Sequence, residues 1–171
     1  MLLLITQLRT MTGVTAEQMS DSQLQTFLAS ASEPVAGELL IPLPTVVSGQ
    51  TQYLEYVSPG GGAFDSKHKL VGPGGATLTP ATVDALTGRW TFAAHQDGPV
   101  YLYGTRYDLA LAAALVLEAR AAAESTSFDV SVDGQVLRRS QKAQALRELA
   151  QTYRMQARPR FVQVRRDDVV W

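Results

Sequence analysis

Tyr107-Asp-Leu-Ala-Leu-Ala-Ala-Ala-Leu-Val-Leu-Glu118 opens the stretch that decides the fold, which continues to Ala157. From Asp108 to Glu124 nearly every residue is a strong helix former, and propensity and pattern agree on a long helix. Its first half is apolar on every side and must be covered on every side. Asp133-Gly134 then predicts a two-residue hairpin turn, because both positions tolerate positive φ. A second helix is expected from about Arg139 to Arg158. Ala143, Leu146, Ala150, Tyr153 and Ala157 recur there at spacings of three and four. That single stripe covers one side of the first helix. The remaining sides need the N-terminal segment or another subunit, so Leu109, Leu111, Leu115, Leu117 and Tyr153 are candidate ring-packing residues.

Toward the N-terminus, Thr6 to Thr10 reads as one helical turn stopped near Gly13. Ser20-Asp-Ser-Gln23 matches a capping box, and Leu24, Phe27, Leu28 and Ala31 follow at helical spacing. The resulting short helix is expected to end by Pro34 and Gly37. Between residues 37 and 104 the composition shifts, and eleven of the thirteen glycines fall there. Leu39–Leu43, Gln52–Val57, Arg89–Ala94 and Val100–Tyr103 are strand candidates. The glycine runs at 60–62 and 72–75 read as flexible loop tips.

The expected architecture is α+β. A small helical bundle (two long helices joined by a β-hairpin, plus a short N-terminal helix) occupies residues 1–36 and 105–158. An antiparallel β domain is inserted at 37–104, and an extended C-terminal arm runs from 159 to 171. The length of 171 residues suits one domain with a sizeable insertion. The apolar start, Met1 to Ile5, is short and lacks a basic flank, so it is read as structure and not as a signal peptide or membrane span.

Charge is uneven along the chain. Residues 138–166 carry a net +8 and residues 1–137 a net −7, although the whole chain sums to −1. The polarity points to an acidic partner for the C-terminal third, either nucleic acid or an acidic protein face. Chemistry-bearing motifs are sparse. Asp129-Val-Ser131-Val-Asp133-Gly134 imitates the opening of a calcium loop, but Ser140 stands where the closing glutamate belongs. Asp65, Ser66 and His68 lie close in sequence without a nucleophile elbow around the serine. The glycine runs lack a phosphate-loop ending. With no cysteine and two histidines, no catalytic set, cofactor fingerprint or metal set is expected.

Several pieces in order carry a resemblance. They are Val83-Asp-Ala-Leu-Thr-Gly-Arg-Trp-Thr-Phe92, Pro99-Val-Tyr-Leu-Tyr-Gly-Thr-Arg-Tyr-Asp108 and the alanine-rich helix. Phe128-Asp-Val-Ser-Val-Asp-Gly134, Leu137-Arg-Arg-Ser-Gln-Lys-Ala143 and Leu149-Ala-Gln-Thr-Tyr-Arg154 follow, before a basic tail. Residues 80–168 resemble the head–tail connector (adaptor, or head-completion) proteins of long-tailed bacteriophages. The resemblance implies a structural virion protein of the neck, assembled in the host cytoplasm as a ring of twelve identical subunits. The ring would dock beneath the portal protein, extend the DNA channel without sequence-specific binding, and offer a platform for a stopper or tail protein. It further implies that the arm reaches the portal, with Arg158, Arg160, Phe161, Val162, Val164, Arg165, Arg166 and Trp171 as interface candidates. The rival readings are a stopper-type neck ring, expected to be β-dominated, and a nucleic-acid-binding module using the basic third.

Overall fold

The computed structural model describes residues 1–125, 130–132, 135–137 and 139–158. Helix α1 spans Leu2–Thr12, twice the expected length. The unbroken run of leucines hides its periodicity, yet Leu4, Ile5, Leu8 and Thr12 face inward while Leu2 and Leu3 stay exposed. Gly13, at φ +64°, closes the helix by donating its N–H to the Arg9 carbonyl, the left-handed cap that glycine adopts without strain. Helix α2 spans Asp21–Ser30 and starts with the expected box: Ser20 Oγ accepts from the Gln23 N–H, and Gln23 Oε1 accepts from the Ser20 N–H.

Pro34 and Gly37 do not terminate this helix. It ends at Ser30, and both residues lie inside strand β1, Ser32–Leu39. The chain continues through β2 (Ile41–Val47), β3 (Gln50–Val57), β4 (Ala63–Phe64), β5 (Lys69–Val71), β6 (Thr77–Leu78), β7 (Thr82–Asp84), β8 (Arg89–Thr91) and β9 (Tyr101–Tyr107). These form two antiparallel sheets. The first has β9 at its centre, flanked by β1 on one side and by β4 and β5 on the other, with β6 beyond β5. The second runs β2-β3-β8-β7. Its β2–β3 hairpin turns at Ser48 and Gly49, with φ of 52° and 78°, the paired positive angles of a two-residue hairpin. Both long edge strands carry proline, Pro34 in β1 and Pro42 and Pro44 in β2, where a missing N–H costs no ladder bond.

Helix α3 (Leu109–Ser125) follows β9 directly, and α4 (Arg139–Gln156) returns along it. Between them β10 (Val130–Val132) pairs with β11 (Gln135–Leu137), Val132 standing opposite Gln135. The turn residues Asp133 and Gly134 lie outside the described residues.

A bundle with a small inserted β domain is therefore not what forms. Four helices pack beside two sheets built from nine strands, and the β-rich part, from Ser32 to Tyr107, dominates the chain. The short strands β4 to β8 hold two or three residues each, too few to show alternation in sequence. Two adjoining cores result. One contains Leu4, Leu8, Leu24 and Leu28 against Ala113 and Val116. The other contains Tyr56, Phe64, Leu70, Trp90, Val100 and Leu102.

Nor is α3 left bare. Leu117 is fully buried, Leu109, Leu111 and Leu115 are partly covered, and no residue from Leu109 to Ala121 is exposed. Alanines explain this: Ala112, Ala113, Ala114 and Ala121 on α3, with Ala143 and Ala150 on α4, are all buried and let the backbones approach closely. Helices α1 and α2 close the other sides, and Tyr153 donates its hydroxyl to the Met11 carbonyl at 3.0 Å.

Helix α4 also spends its charge on α3. Arg154 grips Glu118 with two hydrogen bonds, at 2.5 and 2.7 Å, and Lys142 pairs with Glu124. The Arg154 hydrogen bond, aided by its charge, holds the Glu118 carboxyl below its ordinary value of 4.5. The resulting stability is fully present above that ordinary value and is lost as pH falls through the lowered one. Glu118→Gln should therefore lose less stability than the wild type between neutral pH and about pH 3, read from urea midpoints at both.

Candidate functional site: a buried ionic junction and two apolar surfaces

Arg106, on the central strand β9, has only 9% of its side chain exposed. A buried guanidinium is stable only if paired and hydrogen-bonded. Its Nη1 donates to Glu33 Oε1 at 2.9 Å, and its Nη2 donates to Ser58 Oγ at 2.9 Å and to Glu38 Oε2. The guanidinium also lies over the Phe64 ring, 5.5 Å from its centroid. Strand register explains the second carboxylate. Glu33 and Val35 stand opposite Arg106 and Gly104, and regular alternation would then turn Glu38 to the other face. A bulge between Ala36 and Glu38, with Gly37 at φ +76°, restores Glu38 to the arginine's side.

The glycine run at 60–62 is part of this junction and not a free loop tip. A Cβ on Gly60 would come within 2.6 Å of Arg106 Nη2, and one on Gly62 within 2.8 Å of Arg158 Nη2. Arg158 is thus seated on the same backbone. Its N–H donates to Asp108 Oδ2 at 2.8 Å, while Asp108 Oδ1 caps α3 by accepting from Leu111 N. Burial, and next the neighbouring Arg106 charge, lower the Arg158 pKa from its ordinary value. Of the residues marked as an interface in the sequence, Arg158 alone is placed, at this junction. Arg160, Phe161, Val162, Val164, Arg165, Arg166 and Trp171 lie outside the described residues.

His68 belongs to the fold and is not a base awaiting a substrate. The Trp90 indole can only donate, and its Nε1 lies 3.0 Å from His68 Nε2, so that nitrogen accepts. The ring proton then sits on Nδ1 and is donated to the Asp65 carbonyl at 2.7 Å. The Asp65 carboxylate accepts from Lys67 N and from the Tyr107 hydroxyl. Burial, then the Asp65 charge, raise the Tyr107 pKa. His95 is similarly held, with Nδ1 accepting from Tyr53 N at 2.8 Å and Nε2 beside Asp97.

Two apolar features at opposite edges of the second sheet stand out among the exposed ones. The β2–β3 hairpin reaches beyond the core, and Val46, at its tip, is 72% exposed. On the opposite edge of the same sheet, Val83 of β7 helps line a pocket of about 410 Å³ with Leu3, Leu4, Phe64, Thr79 and Pro80. Sequence reading missed both, along with the whole Arg106 cluster. A lone arginine inside the apolar strand Tyr101–Tyr107 was the available signal for the cluster, as was the absence of any charge from residue 39 to 54 for the hairpin.

Truncating Arg106 to alanine leaves Glu38 partly buried without its cation, and should cost about 3 kcal/mol, measured as a lowered denaturant midpoint. No family model, curated protein or solved structure matches the chain.

Proposed function

We propose that this chain is a structural subunit of the phage neck, an adaptor that assembles as a ring beneath the portal and extends the DNA channel toward the stopper or tail. The observation that carries the reading is the seat of Arg158. Arg158, which immediately precedes the basic C-terminal sequence, is fixed by Asp108, the 60–62 glycine run and the Arg106 cluster. A segment meant to reach a neighbouring protein gains from a rigid origin, because less freedom is lost on docking. The pair α3–α4 with the intervening β10–β11 contains part of the stretch on which the resemblance rests, the remainder lying in β7 to β9.

The same ion pairs count against the nucleic-acid reading. Lys142 and Arg154 face Glu124 and Glu118, so two of the cations of α4 are neutralised within the fold. A DNA-binding surface would keep such cations free for phosphates. A stopper-type ring, expected to be β-dominated, draws some support from the nine-stranded part. The helical hairpin and the basic segment after it favour the adaptor.

Electron microscopy of the protein mixed with a long-tailed-phage portal protein tests the reading, with a ring stacked on the portal as the expected result. Replacing Arg165 and Arg166 together by glutamate should weaken portal binding at least tenfold while leaving the thermal unfolding midpoint unchanged. Unaltered binding would remove the arm from the interface.

A further inference from the structure

We infer that His95 is a pH-sensitive latch on the outer half of the β2–β3 hairpin, closed when its imidazole is neutral and opened when it takes a proton. The latch does not depend on the ring reading above.

The hairpin has a hinge. Leu43 stands opposite Glu55 and Pro44 opposite Tyr53, so Leu54 is the extra residue of a bulge. On its other side β3 pairs with β8 only from Glu55 to Val57. Past that ladder, the Phe92 N–H donates to the Leu54 carbonyl at 2.7 Å and the Gln96 N–H to the Tyr53 carbonyl at 3.2 Å. Residues 44 to 51, farther out, are all exposed. The outer half of the hairpin is therefore tied down at Tyr53, one residue beyond the bulge.

The latch is an imidazole in the place of a carbonyl. The Tyr53 N–H donates to His95 Nδ1 at 2.8 Å, where a neighbouring strand would offer a backbone oxygen. A main-chain amide can only donate, so Nδ1 carries no proton. The neutral ring then has its hydrogen on Nε2, which lies 3.1 Å from Asp97 Oδ1. The His95 and Tyr53 rings also pack together, with centroids 5.6 Å apart. Among the described residues, the bonds from Tyr53 to His95 and from Gln96 to Tyr53 are the only hydrogen bonds tying residues 44 to 53 to the body.

Protonation removes the acceptor. Histidine is the side chain that ordinarily changes charge between pH 5 and 8. An imidazolium donates from both nitrogens, so a proton on Nδ1 would meet the Tyr53 N–H donor to donor. Latching and protonation of Nδ1 exclude one another, and the latch holds at neutral pH and yields as pH falls. The surrounding groups do not oppose this. Asp97, almost fully exposed, favours the imidazolium and draws it outward. On β2 there is no charge, since residues 39 to 54 contain none, and Glu55 of β3 is held by Arg89 of β8 at 2.8 Å. The Tyr56 hydroxyl donates to the Gln96 carbonyl and stays neutral, because burial and next the Asp97 charge raise its pKa.

NMR on the full-length protein tests the latch. Between pH 7.5 and pH 5 the protection of the Tyr53 amide against hydrogen exchange, corrected for the intrinsic effect of pH, should fall about tenfold or more. The backbone order parameters of residues 45 to 51 should fall with it. His95→Asn keeps an acceptor near the position of Nδ1 that no proton can block, so it should stay latched at both pH values. His95→Ala has no acceptor and should be loose at both. His68, the other histidine, accepts from Trp90 in the core, and a change that began there would persist in His95→Asn. An equal fall in wild type and His95→Asn therefore overturns the inference, and so does a wild type with no fall. Loss of Tyr53 protection without added motion in residues 45 to 51 would also overturn it, since the bond would then restrain nothing.

Discussion

The structure depends on how a positive charge on β9 is kept out of water. Arg106 stands on the central strand with its guanidinium in the interior, where an unpaired cation would be untenable. Several local features follow from that demand. Gly37 bulges β1 to swing Glu38 inward, Ser58 fills a further donor's need, and Gly60 gives up its Cβ so that backbone can lie against the guanidinium. The cluster lies where β1, β9 and the loop after β3 meet, next to the first turn of α3. Through Asp108 and the glycine run it also fixes the end of α4. Sheet and helices are thereby joined through polar chemistry as well as packing.

What could be read in advance divides along physical lines. The two long helices were legible because α3 is rich in helix formers and α4 carries a stripe at spacings of three and four. Ser20 was legible because a capping box is a local pattern needing no distant partner. Helix α1 was underestimated because four successive apolar residues show no period, although three-dimensional packing selects Leu4, Ile5 and Leu8. Most of the β-rich part was hidden for a related reason. Strands of two or three residues are held by their neighbours, and no local preference announces them. The Arg106 cluster was the least legible element, since Glu33, Glu38, Ser58 and Arg106 are spread over more than seventy positions.

Of the two covers open to α3 beyond the α4 stripe, the N-terminal segment is the one the fold uses: α1 and α2 close the sides that α4 leaves, and buried alanines line the contact with α4. Surface available for contacts with other molecules is consequently found elsewhere, at the hairpin, at the start of α1 and on the outer side of α4, where Leu149 and Met155 are exposed. Charge is redistributed by folding as well. The acidic and basic blocks of the sequence partly cancel once α4 lies along α3.

Prolines at positions 34, 42 and 44 have one more implication, for the life of the chain before it meets any partner. Newly made β-rich chains at high local abundance are prone to zip together by their backbones, and identical sequences zip best. Imino residues on the two longest rims remove hydrogens that such zipping would use. Backbone pairing between copies is thereby disfavoured along both rims.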